Sequence, residues 1–344
     1  MVVANLPKAK RIYIESHNKI VIYKLIKELH EEKNWNISLM CKSIGIARSA
    51  YYKWLKHTPS TREVEDIRIL EKIHEISQSN NSLFGSMNMY YKLKEKYGFT
   101  CGHNRVYRIM CVNNIQSSYR KHSKCHYKAI IPEQTAENKL KRNFDAELPN
   151  TKWCTDVTEI KVPKTGEKLY ISPVIDLYDR YPVGFAVSEK NNSELTDRAY
   201  KSALNAYPDS HPLYHSDRGY QYTRESFSNI LKSNGMTQSM SRVSKCIDNG
   251  PCEGFQGLFK DMLFILYPCI KNKEEMIEAI YKTLDYYINE YPQKRFKGKT
   301  CGMVRAEAMT SSHPKVYPIK KSNKYIKFWQ EIERKKQKTL EQIK

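Results

Sequence analysis

Hydrophobic residues recur at helical spacing through the first third of the chain. Apolar positions three and four apart predict a helix over Ile20–Leu29 and a second helix over Ser38–Ser43, which ends in a turn at Gly45. The same periodicity predicts three further helices, over residues 61–78, 84–97 and 104–112. We therefore expect this part of the chain to be all-α, after an unpatterned leader at 1–19.

The hydrophobic pattern changes after Pro149. Three strand-like runs separated by turns predict an antiparallel meander over residues 152–162, 169–178 and 181–189. A helix, a strand, a helix, a strand and a long helix are then predicted over residues 194–207, 213–216, 224–234, 237–241 and 252–267. This is the element order of the ribonuclease-H-like fold. The predicted fold class is α/β, a ribonuclease-H-like core with a mixed five-stranded sheet and helices, preceded by an all-α region.

Two short helices around Gly45 have the outline of a helix-turn-helix unit. The second helix is expected to turn three polar side chains toward DNA, those of Arg48, Ser49 and Lys53. Its apolar face is expected to pack inward through Ala50, Tyr51 and Trp54. Taken alone, the outline is equally typical of an ordinary helical hairpin.

A second hairpin of this kind ends in the predicted helix over residues 104–112. Arg105 and Arg108 share one face of that helix, and its other face is apolar, with Val106, Ile109 and Met110. Tandem units would read an extended DNA site, so we predict DNA contacts for both arginines.

The charge distribution supports a nucleic-acid partner. The net charge is +21, and it divides into +12 for residues 1–149, zero for 150–270 and +9 for 271–344. Basic side chains laid on phosphates release condensed counterions, so such flanks favour a polyanion. A basic surface kept only for solubility is the alternative. Tyrosine and arginine interleave with the lysines, which favours nucleic acid.

Cysteine usage and hydropathy indicate the compartment. Nine scattered cysteines without a C-x-x-C pair are typical of free thiols in a reducing environment. The longest apolar run, Met262–Tyr267, is far shorter than the roughly 20 residues of a membrane helix. We therefore expect a cytoplasmic protein with no membrane partner. His122, Cys125 and His126 lack a fourth ligand at a usual spacing, which argues against zinc.

Three acids occupy positions where a carboxylate needs an explanation. Asp156 interrupts the first predicted strand, where an unpaired buried charge is costly. Asp217 follows the strand that ends at Ser216, and Glu253 lies in the first turn of the last core helix. In the predicted topology these three places converge. Each acid alone has an ordinary explanation, since Asp217 could form a turn and Glu253 could complement the helix dipole.

Three carboxylates at close range repel one another, so a site that keeps them needs cations. Two Mg²⁺ ions bridged by one Asp and flanked by two further acids can activate water or a 3′-hydroxyl in phosphodiester displacement. The sequence therefore predicts a magnesium site at Asp156, Asp217 and Glu253.

A chain of motifs, in order, resembles the DDE transposases of the insertion-sequence-three family, relatives of retroviral integrases. The motifs are Trp153-x-Thr155-Asp156-x-Thr158, His215-Ser216-Asp217-Arg218-Gly219-x-Gln221-Tyr222, Ser239-Met240-Ser241-Arg242 and Asp248-Asn249-Gly250-Pro251-x-Glu253-Gly254-Phe255. Thirty-five residues separate Asp217 from Glu253. The resemblance extends from about residue 20 to about residue 308. Gln256 departs from it, because the family usually has an aromatic residue there.

The resemblance implies roles for five residues. Asp156, Asp217 and Glu253 would be catalytic and would bind Mg²⁺, with Mn²⁺ as a substitute. Lys260 would contact the element end, and it lies two helical turns beyond Glu253 on the same face. Asn249 would support the site. The implied partners are double-stranded DNA of the element ends and the target, further copies of this chain as a homo-oligomer on DNA, and the product of an upstream reading frame.

The implied function is Mg²⁺-dependent cleavage and strand transfer at the ends of an insertion element by a bacterial, nucleoid-associated protein. The predicted organisation is a leader (1–19), a helix-turn-helix (20–57), a second helical DNA-binding unit (61–120), a basic linker (121–148), an integrase-like core with a C-terminal helix (149–310) and a basic tail (311–344). One alternative is an inactive DNA-binding remnant. Another is a ribonuclease-H-like nuclease acting on RNA, which would not need two helix-turn-helix units.

Overall fold

The computed structural model describes residues 22–119, 136–242 and 246–319, together with Glu331 and Arg334. The predictions for the leader, for most of the basic linker with its His and Cys residues, and for the tail beyond 319 lie outside these residues. The chain forms two compact units, Met1–Lys121 and His122–Lys344.

The N-terminal unit begins with the predicted helix-turn-helix. Residues 22–33 are helical (α1), and they are followed by α2 (Ile37–Ile44) and α3 (Arg48–Leu55). The Asn36 side chain caps α2, and Gly45 ends it with a φ of 74°, a left-handed conformation that glycine adopts freely. A small core holds the three helices together, with Tyr23, Ile26, Met40, Cys41 and Tyr51.

A second group of helices completes this unit. It consists of α4 (Thr61–Ser79), α5 (Ser86–Tyr97) and α6 (His103–Val112), and each helix packs on the other two. Ser60 and Glu63 form a reciprocal capping box at the start of α4. As predicted, α6 buries Val106, Ile109 and Met110. All the predicted helices of the first third are therefore present.

A mixed sheet forms the centre of the second unit. Its strands are β1 (Lys152–Thr155), β2 (Thr158–Lys161), β3 (Lys168–Asp176), β4 (Pro182–Ser188), β5 (Leu213–Ser216) and β6 (Thr237–Met240). β3 is antiparallel to β1, β2 and β4, whereas β1, β5 and β6 run parallel. Together with the helices described below, this confirms the predicted mixed α/β core.

The first predicted strand, residues 152–162, is divided, so the sheet has six strand segments instead of the five predicted. Thr155 faces Val174 and Thr158 faces Ile171 in one continuous register, which places Asp156 opposite Pro173. Because proline has no backbone N–H, the ladder lapses at this point. The Thr155 hydroxyl bonds to the Pro173 carbonyl at 2.8 Å instead. The break in the strand at Asp156 is therefore caused by a proline on the neighbouring strand.

Six helices surround this sheet in the described part of the second unit. They are α7 (Ser193–Ala206), α8 (Tyr220–Thr223), α9 (Glu225–Ser233), α10 (Gly250–Leu266), α11 (Lys273–Asn289) and α12 (Cys301–Thr310). α7 lies so close to β4 that a Cβ on Gly184 would come within 2.8 Å of the Ala203 Cβ. The aromatic side chains of Trp153, Tyr214, Tyr222 and Phe227 fill the core between sheet and helices.

Buried ion pairs attach the C-terminal helix to the sheet. Arg305 of α12 lies 2.8 Å from Asp176 and 2.7 Å from Asp179, and all three side chains are buried. The predicted basic tail begins at residue 311, but its described part packs on the core. Tyr317 is buried and its ring meets that of Phe296 at 5.1 Å. No helix among the described residues is long and apolar enough to cross a bilayer.

Candidate active site

The three predicted acids come from separate elements that meet at one end of the sheet. β1 and β5 are parallel neighbours, with Cys154 opposite His215, so Asp156 and Asp217 both follow the carboxyl ends of these strands. Glu253 lies in the first turn of α10, which packs on β1. The convergence expected from the element order is thus present in the fold.

Backbone groups hold the two aspartates. The N–H of Val157 donates to Asp156 Oδ1 at 2.8 Å, and the N–H of Gly219 donates to Asp217 Oδ1 at 3.0 Å. A Cβ on Gly219 would lie 3.1 Å from that same Asp217 oxygen, so a larger residue would crowd the carboxylate. These contacts fix one oxygen of each aspartate.

The electrostatics of the site are unfavourable for three bare carboxylates. Burial and the negative fields of Asp217 and Glu253 raise the pKa of Asp156 to about 8. Burial raises the pKa of Asp217, and burial together with the charge of Asp217 raises the pKa of Glu253. Within the described residues none of the three forms a salt bridge. Within the described residues the cluster therefore has no basic side chain at salt-bridge distance.

The donor set suits a hard divalent cation, because all its ligating atoms are carboxylate oxygens. In the described part of the chain, no group of three His, Cys, Asp or Glu side chains lies close enough to hold one ion together. A site in which Asp156 is shared between two ions, each with one further acid, does not require such a group.

Two amide side chains of α10 and its approach line the cluster. Asn249 Nδ2 donates to the carbonyl of Thr155 at 3.0 Å, which ties the start of α10 to the residue before Asp156. Gln256 lies one turn after Glu253, is buried, and its amide lowers the pKa of Asp156 slightly. Sequence reasoning noted Gln256 only as a departure from an aromatic residue.

Lys260 lies where the helical spacing predicted. It is two turns beyond Glu253, and burial lowers the pKa of its ammonium group while the charges of Asp156 and Glu159 raise it. The opposite face of α10 is buried through Phe255, Phe259 and Met262, and the ring of Phe259 meets that of Phe185 on β4. Lys260 is therefore half-buried and within the field of the acids.

The predicted DNA contacts of the N-terminal unit divide into two groups. Arg48, Ser49 and Lys53 are exposed on α3, whose buried residue is Tyr51. Arg105 instead bonds through Nη1 to Glu65 and through Nε to Asp66, both at 2.6 Å, and its side chain is only 17% exposed. The DNA contact of Arg105 stays a prediction, and in this structure both acids of α4 engage its guanidinium group. Arg108 pairs with Asp66 but stays partly exposed.

Sequence reasoning missed two buried polar residues beside the site. His215 lies two residues before Asp217, and its ring bonds to Ser239 Oγ at 2.9 Å. Asp248 was noted only as part of the motif that contains Glu253, but its carboxylate is fully buried and bonds to Arg242 and to Arg142, which lies 106 residues earlier. The sequence shows an acid just before the Glu253 helix and arginines at positions 142 and 242. No regular spacing in the sequence indicates that this acid pairs with these arginines.

Comparison with known proteins agrees with this architecture. The family model described as "Integrase core domain" matches residues 146–246, and "HTH-like domain" matches residues 63–123. The fold is thus the ribonuclease-H-like integrase core, preceded by a helix-turn-helix region.

Relatives extend the similarity over most of the chain. InsK, named as a transposase for insertion sequence element IS150 in Escherichia coli K12, is 34% identical over 80% of this chain and 95% of its own length. A 31 kDa protein of insertion element IS600 from Shigella sonnei is 29% identical over 73% of this chain and 91% of its own. InsF, the transposase of IS3A in Escherichia coli K12, is 26% identical over 72% of this chain and 81% of its own. This chain belongs to the insertion-sequence-three family of transposases.

Proposed function

We propose that this transposase cuts and joins DNA at the ends of its insertion element as a Mg²⁺-dependent polynucleotidyl transferase of the DDE type. The observation that carries the proposal is the cluster of Asp156, Asp217 and Glu253, which three separate elements bring together. The charge of Asp217 raises the pKa of both Asp156 and Glu253, and none of the three has a salt-bridge partner in the described part of the chain. A structural role would not need three unneutralised acids.

The three carboxylates would hold the metal ions, with Asp156 shared because it feels the charge of both other acids. Two bound Mg²⁺ ions would activate a water molecule or a 3′-hydroxyl of DNA as the nucleophile. They would also stabilise the leaving oxygen of an in-line phosphodiester displacement. Mn²⁺ also prefers oxygen ligands, so we propose it as a substitute.

Two further residues of α10 and its approach act on the substrate and the acids. Asn249 holds the end of β1 through the carbonyl of Thr155 and so keeps Asp156 in place. Lys260 presents a positive charge beside the acids, where the phosphates of the element end would pass. Neither residue exchanges a proton with the substrate in this proposal.

The basic N-terminal unit would bind the element ends. The exposed side chains of Arg48, Ser49 and Lys53 lie on the second helix of a helix-turn-helix, the position that enters a major groove in such units. We further propose that copies of this chain assemble on DNA, and that the product of an upstream reading frame is an additional partner.

Joining of a labelled element end to plasmid DNA tests the proposal. The full chain should give joined product with Mg²⁺ or Mn²⁺ and none with EDTA. End binding without joining at any metal concentration would favour an inactive DNA-binding remnant. Cleavage confined to RNA–DNA hybrids would favour a nuclease acting on RNA. Either outcome would contradict the proposed strand transfer.

A further inference from the structure

A buried carboxylate outside the proposed site lies at the N-terminus of α10. Asp248 is fully buried and accepts hydrogen bonds from three residues, which with it form what we call the Asp248 cluster: Asn138, Arg142 and Arg242. Asn138 Nδ2 donates at 2.9 Å and Arg142 Nε at 2.5 Å. Arg242 donates through its backbone N–H, Nε and Nη2 at 3.1, 2.8 and 2.9 Å.

The charge of this carboxylate is balanced by the fold itself. Burial alone would raise the pKa of Asp248, but the hydrogen bonds and charges of Arg242 and Arg142 outweigh it and hold the pKa well below its ordinary value. Asp248 is therefore a permanent anion that fixes its partners.

The Asp248 cluster joins the segment that enters the core to two later segments, and 106 residues separate Arg142 from Asp248. Asn138 and Arg142 belong to the segment that enters the core, Arg242 follows β6, and Asp248 lies in the short 3₁₀ helix before α10. The entering segment is attached to β6 as well, because Ser239 Oγ accepts from the N–H groups of Lys139 and Leu140 at 3.0 and 3.1 Å.

The hydroxyl of Ser239 extends these contacts to His215. With both lone pairs of its oxygen engaged, Ser239 must donate its proton to Nδ1 of His215, 2.9 Å away. The proton of the neutral imidazole is then on Nε2, which faces Ser241 Oγ at 3.3 Å. His215 lies two residues before Asp217, so the entering segment is connected to the strand that carries this acid.

Short connections link the Asp248 cluster to each acid of the site. Asn249 follows Asp248 and bonds to the carbonyl of Thr155, the residue before Asp156. Glu253 is five residues beyond Asp248 and lies in the first turn of α10, which directly follows the 3₁₀ helix of Asp248. A shift of the 3₁₀ helix would therefore move Glu253 and loosen Asp156 together.

We propose that Asp248, held by Arg142 and Arg242, is a positioning residue that sets the separation of Glu253 from Asp156 and Asp217. The inference rests on the proposed function, because the spacing of the acids matters only if they share bound cations. Contacts behind metal ligands of this kind commonly change metal affinity or activity about 10- to 100-fold.

The test measures metal binding directly as well as activity. Mn²⁺ titration followed by electron paramagnetic resonance gives the affinity, and joining of a labelled element end gives the rate, both on the full chain. We expect Asp248→Asn to weaken Mn²⁺ binding and slow joining by about 10- to 100-fold, in proportion to each other. Binding of the element end should stay within about twofold, because phosphate contacts dominate that affinity.

Two variants retain the Asp248 carboxylate in case Asp248→Asn fails to fold. Arg142→Lys keeps the charge but loses the Nε donor, and Asn138→Ala removes one neutral donor. We expect about tenfold and about threefold weaker Mn²⁺ binding respectively, with the folded fraction checked by circular dichroism. Asp209→Asn, an exposed acid in the turn before β5, is the matched control and should match wild type.

Unchanged Mn²⁺ affinity in all folded variants of the Asp248 cluster would overturn the positioning role. That result is distinct from a failure of the proposed function, in which the wild-type chain itself would neither bind Mn²⁺ at the acids nor join DNA.

Discussion

Two groups of buried carboxylates flank the N-terminus of α10, and the fold treats them in opposite ways. Asp248 accepts hydrogen bonds from two arginines and an asparagine, which hold its pKa well below the ordinary value despite burial. Asp156 has other acids as its charged neighbours, and burial with the field of Asp217 raises its pKa to about 8. A short chain of contacts connects the two side chains, since Asn249 follows Asp248 and bonds to the carbonyl of Thr155, the residue before Asp156.

The difference separates architecture from chemistry. A carboxylate that the fold requires is neutralised by the fold, because an unpaired buried charge costs several kcal/mol. A carboxylate kept beside others of its sign takes up a proton or a cation from outside instead. At Asp156, Asp217 and Glu253 the proposed Mg²⁺ ions would be that cation.

The largest expected effect is loss of DNA joining when one of the three clustered acids is replaced. Asp156→Asn, Asp217→Asn and Glu253→Gln should each lower the joining rate at least about a thousandfold, which is about 4 kcal/mol of transition-state stabilisation. Binding of element ends should remain nearly intact, because it depends on the basic flanks.

Joining assays with a labelled end, alongside gel-shift titrations, check this prediction. Glu159→Gln is the control, since Glu159 pairs with Lys168 on the neighbouring strand and its pKa is lowered mainly by that lysine. Retained joining by any variant of the three acids would remove that acid from the site.

The two groups should also differ in the sign of their effect on stability. Asp248→Asn leaves Arg142 without its charged partner, so the free energy of unfolding should fall by about 3 kcal/mol. Asp156→Asn relieves repulsion and should leave stability unchanged or raise it by about 1 kcal/mol. Urea denaturation without divalent metal measures both values. A similar loss of unfolding free energy in both variants would contradict the different roles of Asp248 and Asp156.

Acid denaturation sharpens the same contrast. The pKa of Asp248 is lower in the folded than in the unfolded chain, where it is about 3.9. Its contribution to stability is therefore present above that value and is lost as the pH falls toward the folded pKa. Below about pH 4, wild type should lose stability more steeply than Asp248→Asn, by up to about 1.4 kcal/mol per pH unit.

Urea denaturation at a series of pH values gives these slopes. Asp209→Asn, an exposed aspartate, should follow the wild-type curve. Parallel curves for wild type and Asp248→Asn would show that the hydrogen bonds of Asp248 do not depend on its charge.

The sequence was informative where local patterns decide structure. Helical and strand periodicity located the elements, and element order brought Asp156, Asp217 and Glu253 together in the fold. The break in the first strand was not predictable, because it comes from Pro173 on the adjacent strand, seventeen positions after Asp156. Periodicity describes one strand at a time and not the residue that a neighbour places opposite.

Pairings between distant side chains were equally hidden from the sequence. Asp248 bonds to Arg142, which precedes it by 106 residues, and Arg105 bonds to Asp66, 39 residues earlier. An arginine on a helix face has the same sequence signature whether it contacts a phosphate or an acid of the same protein. Only the packing of α6 on α4 distinguishes these two uses for Arg105.

The same contrast applies to arginines of the N-terminal unit. Arg48 is exposed, so Arg48→Ala should weaken binding of element ends by about tenfold and leave stability unchanged. Arg105→Ala should instead destabilise the unit, because it removes the arginine partner of Glu65 and leaves Asp66 only Arg108. Gel shifts and thermal melts of the full chain separate the two effects. Stronger loss of DNA affinity in a folded Arg105→Ala protein would support Arg105 as a DNA contact.

The smallest expected effect concerns Lys260, the basic residue beside the three acids. Its half-buried ammonium lies in the fields of Asp156 and Glu159, so it offsets part of the negative charge without forming a salt bridge to any described residue. If it contacts one phosphate of the element end, Lys260→Ala should weaken end binding by about three- to tenfold and lower the salt dependence by about one counterion.

Lys232→Ala on the exposed face of α9 is the matched control. Binding titrations over a range of salt concentrations measure both slopes, and crosslinking from position 260 locates the contact. Because a lost phosphate contact changes the slope whereas a disturbed acid cluster changes only the rate, an unchanged slope with slower joining would place Lys260 with the acids and not on the DNA.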